Sequence, residues 1–270
     1  MAMRVRLIVF ITGAACLLMA PCLSTAQAPY YGAVRMARGQ DVTPAFEGWM
    51  ANRDGAFTLY FGYMNRNYEE ELDIPVGPGN RVEPGGDRGQ PTHFYPRRQR
   101  LVFSVVVPKD WGGERKVVWT LSTRGKTNVA KGWLQPEWEI DKEVIMQNAA
   151  GGADLQNEPP VITGSAPQTI SLPNAVTLTA TAEDDGRPNS LRVRDVEDGN
   201  AGASGLSVRW IYYRGPGPVS FSPGTVASGC QKPVTSTTKA TFQVAGEYVL
   251  RAIASDGSLA TFHDVAVTVK

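Results

Sequence analysis

The chain has 270 residues, 42% of them hydrophobic, which is enough apolar sequence for two modest cores. Its 27 Lys and Arg nearly balance 26 Asp and Glu, excluding the long-range attraction to nucleic acid or an anionic membrane that a strongly basic protein has. Three cysteines, two of them (Cys16 and Cys22) close to the N-terminus, exclude a disulfide-stapled scaffold.

Residues 1–28 have the pattern of a secretory signal. Arg4 and Arg6 form the positive end, residues 7–19 are apolar except for Thr12 and Gly13, and Ala26-Gln27-Ala28 offers a small-x-small cleavage site. Cleavage after Ala28 would place Pro29 first; cleavage after Ala26 is the alternative. Loss of the segment removes two arginines and leaves 25 basic against 26 acidic groups. Cys230 is then the remaining cysteine, expected to be buried or inert because no second cysteine or nearby histidine gives it a role. No later stretch approaches the roughly 20 apolar residues of a transmembrane helix. The expected location is extracytoplasmic: secreted, periplasmic or on the cell surface.

Residues 29–44 form a leader with little periodicity, expected to order only against a partner and suited to joining the sheet edge of another subunit. A first β-sandwich is expected over residues 45–135. Phe57, Leu59, Phe61 and Tyr63 alternate with polar or smaller neighbours, and Asn52-Arg53-Asp54-Gly55 before them predicts a hairpin turn. Residues 100–107 place Leu101, Phe103, Val105 and Val107 on one side, and residues 116–123 alternate Val117, Trp119 and Leu121 with Val118 and Thr120. Thr123-Arg124-Gly125-Lys126 reverses the chain into residues 127–133, which favours an antiparallel sheet.

Residues 65–99 break the pattern. The runs Pro75-Val76-Gly77-Pro78-Gly79-Asn80 and Glu83-Pro84-Gly85-Gly86-Asp87-Arg88-Gly89-Gln90-Pro91 predict an irregular loop, long enough to be functional or mobile. Glu69, Glu70, Glu71 and Asp73 precede it and Arg97, Arg98 and Arg100 follow it, so the two flanks are expected to pair across its base or stay solvated. The other reading is a contact surface for a protein partner, a second copy or a polymeric ligand. Tyr63, Tyr68, Phe94 and Tyr95 would supply aromatic area, and Arg97 and Arg98 directed hydrogen bonds.

Residues 136–156 predict a linker with a short helix, started by Pro136 with Glu137 and Glu139 in its first turn and followed by Gly151-Gly152. Residues 157–270 contain Asn157-Glu158-Pro159-Pro160-Val161, Ala182-Glu183-Asp184-Asp185-Gly186, Leu206-Ser207-Val208-Arg209-Trp210 and Gly246-Glu247-Tyr248-Val249-Leu250, closing on Ser255-Asp256-Gly257. In these motifs and their order the segment resembles the polycystic-kidney-disease (PKD) family of immunoglobulin-like domains. The resemblance implies a seven-stranded antiparallel sandwich of a kind that commonly spaces or attaches other modules, and the shared parity of Leu206, Val208, Trp210 and Tyr212 sends the Trp210 indole inward. The segment departs from the family at residues 187–204, a polar insertion expected to protrude. Residues 65–77, with Gln90-Pro91-Thr92-His93-Phe94 and Lys126-Thr127, look like a family of exported bacterial proteins with no assigned activity. The expected fold class is all-β: two consecutive antiparallel β-sandwich domains, the second immunoglobulin-like.

Signals for chemistry are weak. The exported chain carries two histidines, His93 and His263, and has neither Cys-x-x-Cys, His-Glu-x-x-His nor Gly-x-Ser-x-Gly spacing. His93 is expected to hydrogen-bond at a surface or interface, and His263 to pair with Asp264. No catalytic residue is assigned. Calcium is the cofactor left open, with Asp184, Asp185, Asp195 and Asp198 as oxygen ligands at one end of the second sandwich, outside any EF-hand spacing. The leading expectation is a non-enzymatic secreted or cell-surface structural or interaction protein that self-associates or binds a protein partner. The alternative is a carbohydrate-binding or substrate-attachment module, which requires exposed coplanar aromatics among Tyr63, Tyr68, Phe94, Tyr95, Trp111, Trp133 and Trp138.

Overall fold

The computed structural model describes residues 35–149, 154–187, 205–227 and 233–270. The signal region, most of the polar insertion with Asp195 and Asp198, and Cys230 lie outside the described residues. The first half of the chain contains β1 (Val42–Ala51), β2 (Phe57–Asn65), β3 (Leu72–Asp73), β4 (Asn80–Glu83), β5 (His93–Phe94), β6 (Arg97–Val107), β7 (Val117–Thr123) and β8 (Lys126–Gly132). One sheet runs β1-β2-β6 and the other β4-β7-β8, with β3 and β5 forming a small separate ladder; every pair is antiparallel.

Period-two alternation accounts for most of this sandwich. Leu59, Phe61 and Tyr63 of β2, with Phe103, Val105 and Val107 beside them on β6, pack in one core with Val117, Trp119 and Leu121 of β7 in the other sheet, all buried. Trp119 is fully enclosed, edge-on to Phe103 with ring centroids 4.8 Å apart. The β1–β2 hairpin closes through the expected turn: the Gly55 N–H donates to Asn52 O (3.0 Å), with Gly55 at φ +84°. Leu101 departs from its predicted parity. It lies at φ +50°, next to a register shift between Phe61 and Tyr63 in the β2–β6 pairing. Gly62 occupies that shift, where a Cβ would come within 2.4 Å of Gln99 O.

The leader is corrected in part. β1 begins at Val42, and the residues before it are held by their own domain: Tyr68 N–H donates to Met36 O (3.0 Å) and Gln40 N–H to Asn67 Oδ1 (2.7 Å). Asp41, 2% exposed, accepts from Lys126 (3.2 Å) and Asn128 (2.7 Å). The linker holds a 3₁₀ turn at Pro136–Trp138 and then α1 (Lys142–Gln147), shorter than the predicted helix. Extended backbone at Glu139 ends the first turn, and Asp141 caps a new start by accepting from Val144 N–H (2.8 Å).

The second half contains β9 (Val161–Gly164), β10 (Gln168–Ile170), β11 (Val176–Glu183), β12 (Ser207–Arg214), β13 (Val219–Ser222), β14 (Thr225–Ala227), β15 (Val234–Phe242), β16 (Gly246–Ser255) and β17 (Ala260–Val269). The sheets run β10-β17-β16-β12-β14 and β13-β15-β11-β9, with Trp210, Leu178, Leu250 and Val267 in the core between them. Among the described residues nine strands stand where seven were expected, because two stretches each serve both sheets. The chain leaves β9, passes Pro167 and enters β10 in the opposite sheet; it likewise leaves β13, passes Pro223-Gly224 and enters β14. Proline cannot donate to a ladder, which favours a change of sheet at these points. β10 pairs with β17 in parallel, the exception to the antiparallel pattern among the described strands.

Candidate functional site

Residues 65–99 are ordered by side-chain amides instead of a long ladder. Asn65, Asn67, Asn80 and Gln90 are each 0% exposed. The Asn80 amide nitrogen donates to Ile74 O and Pro91 O, both at 2.8 Å, and its oxygen accepts from Trp119 Nε1 at 3.0 Å. Asn65 Nδ2 donates to Glu70 O (2.8 Å) and Phe94 O (3.0 Å). Gln90 Nε2 donates to Gly86 O (2.9 Å), while its oxygen accepts from Arg88 N–H (2.8 Å). Each amide supplies donors and acceptors where Pro and Gly interrupt sheet pairing, so the buried carbonyls remain satisfied.

The segment organised in this way docks against the end of β12. Thr92 N–H donates to Tyr213 O (3.1 Å), and Gly215 N–H donates back to Thr92 Oγ1 (3.1 Å). Tyr212 N–H donates to the Tyr95 hydroxyl (3.0 Å), the Tyr213 hydroxyl donates to Gly89 O (2.6 Å), and Arg214 pairs with Asp87 (2.8 Å). Farther along, Arg251 of β16 donates to Val102 O and holds Asp264 through two bonds of 2.6 and 2.8 Å, with its guanidinium 3.6 Å from the Tyr213 ring centre. Burial pushes the Tyr213 hydroxyl up to about 12, despite the opposing charge of Arg251. Burial likewise pushes Tyr95 up to about 12, although its hydroxyl accepts the Tyr212 bond.

His93 sits at the centre of this junction, 7% exposed. Its Nδ1 lies 2.8 Å from Asp73 Oδ1 and its Nε2 3.0 Å from Glu71 Oε2. The ring stands edge-on to Tyr95 and tilts against Tyr212, both with centroids 4.6 Å away. Burial lowers the imidazole pKa, but the bonds to Asp73 and Glu71 and their charges outweigh it, so the net shift is upward. His93 thus has an interface hydrogen-bonding position. His263 does not pair with Asp264: its Nε2 contacts Ser165 O (3.1 Å), and Asp264 is held by Arg251.

The expected pairing of the charged flanks is also corrected. Glu71 and Asp73 turn to His93, Glu70 pairs with Arg124, and Arg98 pairs with Glu47 at 2.7 Å. The β3–β5 ladder sets His93 directly opposite Asp73, which diverts these acids from the arginines. Burial raises the Glu47 carboxyl above its ordinary value against the pull of Arg98.

The six interaction candidates separate into three groups. Tyr63 (2% exposed) and Phe94 (0%) belong to the core, where the Tyr63 hydroxyl accepts from Tyr95 N–H (2.9 Å); neither is a surface contact. Tyr95 lies in the junction and Arg98 against Glu47. Tyr68 and Arg97 remain together at the surface, the guanidinium 3.9 Å from the half-buried ring centre, with Arg35 5.4 Å from the same centre. Arg97 has φ +63° and donates to Arg66 O (3.3 Å), while its Nε is buried without a partner.

Of the calcium candidates, Asp184 and Asp185 lie at one end of the second sandwich near Asp256 and Asn157. Asp185 accepts from Glu158 N–H (3.0 Å) and Arg187 N–H (2.9 Å), and Asp256 accepts from Asn157 Nδ2 (3.0 Å). Burial, with smaller contributions from Asp256 and Asp185, raises the Asp184 carboxyl above its usual range. Among the described residues, no group of three or more His, Cys, Asp or Glu is placed to hold a metal ion. No described helix is long and apolar enough to cross a membrane.

The molecule is thus a pair of consecutive β-sandwiches, antiparallel among the described strands except for the β10–β17 pair. No protein-family model and no curated protein matches the chain. Among solved structures it is similar to the fibronectin(III)-like modules of Clostridium thermocellum CbhA, at 15% identity, covering 85% of this chain and 94% of that one, with a TM-score of 0.24. The D00-D0 domain of intimin gives 9% identity, 85% and 100% coverage and a TM-score of 0.27. A CARDB domain from Pyrococcus furiosus, solved in complex with di-metal ions, gives 14% identity, 42% and 96% coverage and a TM-score of 0.23. At these TM-scores none of the three bears on what this chain does.

Proposed function

We propose that the chain is an exported, non-enzymatic structural or interaction protein whose two sandwiches act as one unit, with a contact surface around Tyr68 and Arg97. The observation that carries this reading is the junction. The Pro/Gly-rich segment, the sequence feature best suited to holding a ligand, directs Gly89, Thr92 and Tyr95 into hydrogen bonds with the second sandwich. The arginine–tyrosine stack is left on the surface with a rigid ring and directed donors, a combination that favours protein contacts. Export rests on the signal pattern of residues 1–28, and the PKD-type reading of the second sandwich on its motifs and the inward Trp210. Self-association or binding to a protein partner is the proposed use of the surface. Molar mass by light scattering and particle shape by negative-stain microscopy, with calcium and with chelator, test it. Discrete oligomers that dissociate in Tyr68→Ala and Arg97→Ala variants are expected. A monomer in both conditions that is retained saturably on a polysaccharide would overturn it in favour of the attachment module.

A further inference from the structure

A neutral imidazole has one N–H, yet both ring nitrogens of His93 lie within hydrogen-bond distance of carboxylates, at 2.8 and 3.0 Å. Ionised carboxylates only accept, and Asp73 and Glu71 are about half exposed, at 53% and 50%. Two acceptors on one ring require two ring donors. The arrangement is therefore complete only with an imidazolium, a cation that also lies against the face of Tyr212 from the other sandwich.

We propose that His93 is a proton-operated latch between the two sandwiches: protonated, it is pinned by Asp73 and Glu71 against Tyr212, and deprotonation loosens the junction. When the proton leaves, one ring nitrogen presents a lone pair to a carboxylate at hydrogen-bond distance. That contact becomes repulsive, and a half-exposed acid can turn to water instead. The ring then loses one of its two anchors and its cationic attraction to Tyr212. The groups facing this site are Glu71 and Asp73 from the β3 segment and Tyr95 from the residue after β5. β12 contributes Tyr212 and, beyond Tyr95, the guanidinium of Arg209; Tyr63 of β2 stands behind Tyr95. The charge of Arg209 acts on Tyr95, whereas the groups that raise the His93 pKa against its burial are the two carboxylates. Arg214–Asp87 and the bond from Arg251 to Val102 O do not involve the imidazole and keep the sandwiches associated when the latch opens.

The sign follows from the direction of the shift. A histidine whose folded-state pKa is raised contributes its stabilisation fully below the ordinary value of 6.5, and loses it as the pH rises through the folded value. The full chain is titrated upward from pH 5 while ring ¹⁵N shifts follow each histidine, assigned with His93→Gln and His263→Gln. Relative domain orientation is followed by residual dipolar couplings. The expected result is a change of orientation or a broadening of its distribution with the midpoint of His93, absent in His93→Gln and unchanged in His263→Gln. Glu71→Gln, at a half-exposed position, should lower both midpoints together. An orientation constant through the His93 titration, or a change that persists in His93→Gln, would overturn the latch. If His93→Gln does not fold, a Glu71→Gln variant that moves the ring midpoint without the orientation midpoint overturns it equally.

Discussion

Replacing Asn80 by Ala tests whether buried amides organise the docking segment. The substitution removes two bonds of 2.8 Å to Ile74 O and Pro91 O and the 3.0 Å bond from Trp119 Nε1, all at a fully buried position. Each bond contributes about 0.5–1.5 kcal/mol net, and each buried group left unpaired costs about 1–3 kcal/mol before water or relaxation recovers part of it. A loss of about 3–5 kcal/mol is expected, large against the roughly 5–15 kcal/mol that stabilises typical domains. In urea, a slope of about 3 kcal/mol per M converts this to a midpoint lower by about 1–2 M. The assay is urea unfolding followed by tryptophan fluorescence, with amide exchange to locate the damage. Ile74 N–H donates to Thr92 O (2.8 Å) and Thr92 N–H to Tyr213 O (3.1 Å), so protection should fall at residues 74 and 92 together. Asn80→Asp keeps an acceptor for Trp119 but supplies no donor to the two carbonyls, and should be no better than Ala. A loss under about 1 kcal/mol, or a larger loss with Thr92 still protected, would refute the reasoning.

Arg251→Lys keeps the charge but gives up the bidentate grip on Asp264 and the reach to Val102 O; a loss of about 1–3 kcal/mol is expected, measured as a shift in denaturant midpoint with the slope unchanged. For Asp41, burial alone would raise the carboxyl, but bonds from Asn128 and Lys126 and the charge of Lys126 hold it below its ordinary value of 3.8. Its stabilisation is therefore present above that value and lost as the pH falls through the folded one. Asp41→Asn should flatten the stability profile below about pH 4 in acid-unfolding curves while lowering stability at neutral pH.

Alternation was readable wherever a strand buries one face. Phe57 to Tyr63 and Val117 to Leu121 need only period two to place their inward residues, and Val265, Val267 and Val269 follow the same rule in the last strand. Leu101 fails the rule because a register shift is a property of two strands, and the partner beside this one, Tyr63 opposite Gln99, is 36 residues away in sequence. The organisation of the 65–99 segment is hidden from the sequence for a related reason. Its strands are two to four residues long, and its order resides in Asn65, Asn80 and Gln90, residue types that composition assigns to solvent. A polar amide amid Pro and Gly has no periodic signature. Only its partners, such as the Trp119 indole 39 residues on, distinguish a brace from a loop.

Tyr63, Phe94 and Tyr95 looked like one aromatic surface because they cluster with arginines in sequence, yet they form a graded path from core to junction. Phe94 packs edge-on to Tyr63 at 4.9 Å, the Tyr63 hydroxyl accepts from Tyr95 N–H, and the Tyr95 hydroxyl accepts from Tyr212 N–H. Each hydroxyl ties an apolar ring to the backbone of the next element, so the second sandwich is connected to the interior of the first through three packed rings rather than through a flexible tether. Such a connection resists bending because any rotation at the junction must break a bond to a group that has little access to water. This connection gives the Pro/Gly segment its physical rationale: turns bring Gly89, Thr92 and Tyr95 to the β12 end, and the buried amides keep them there.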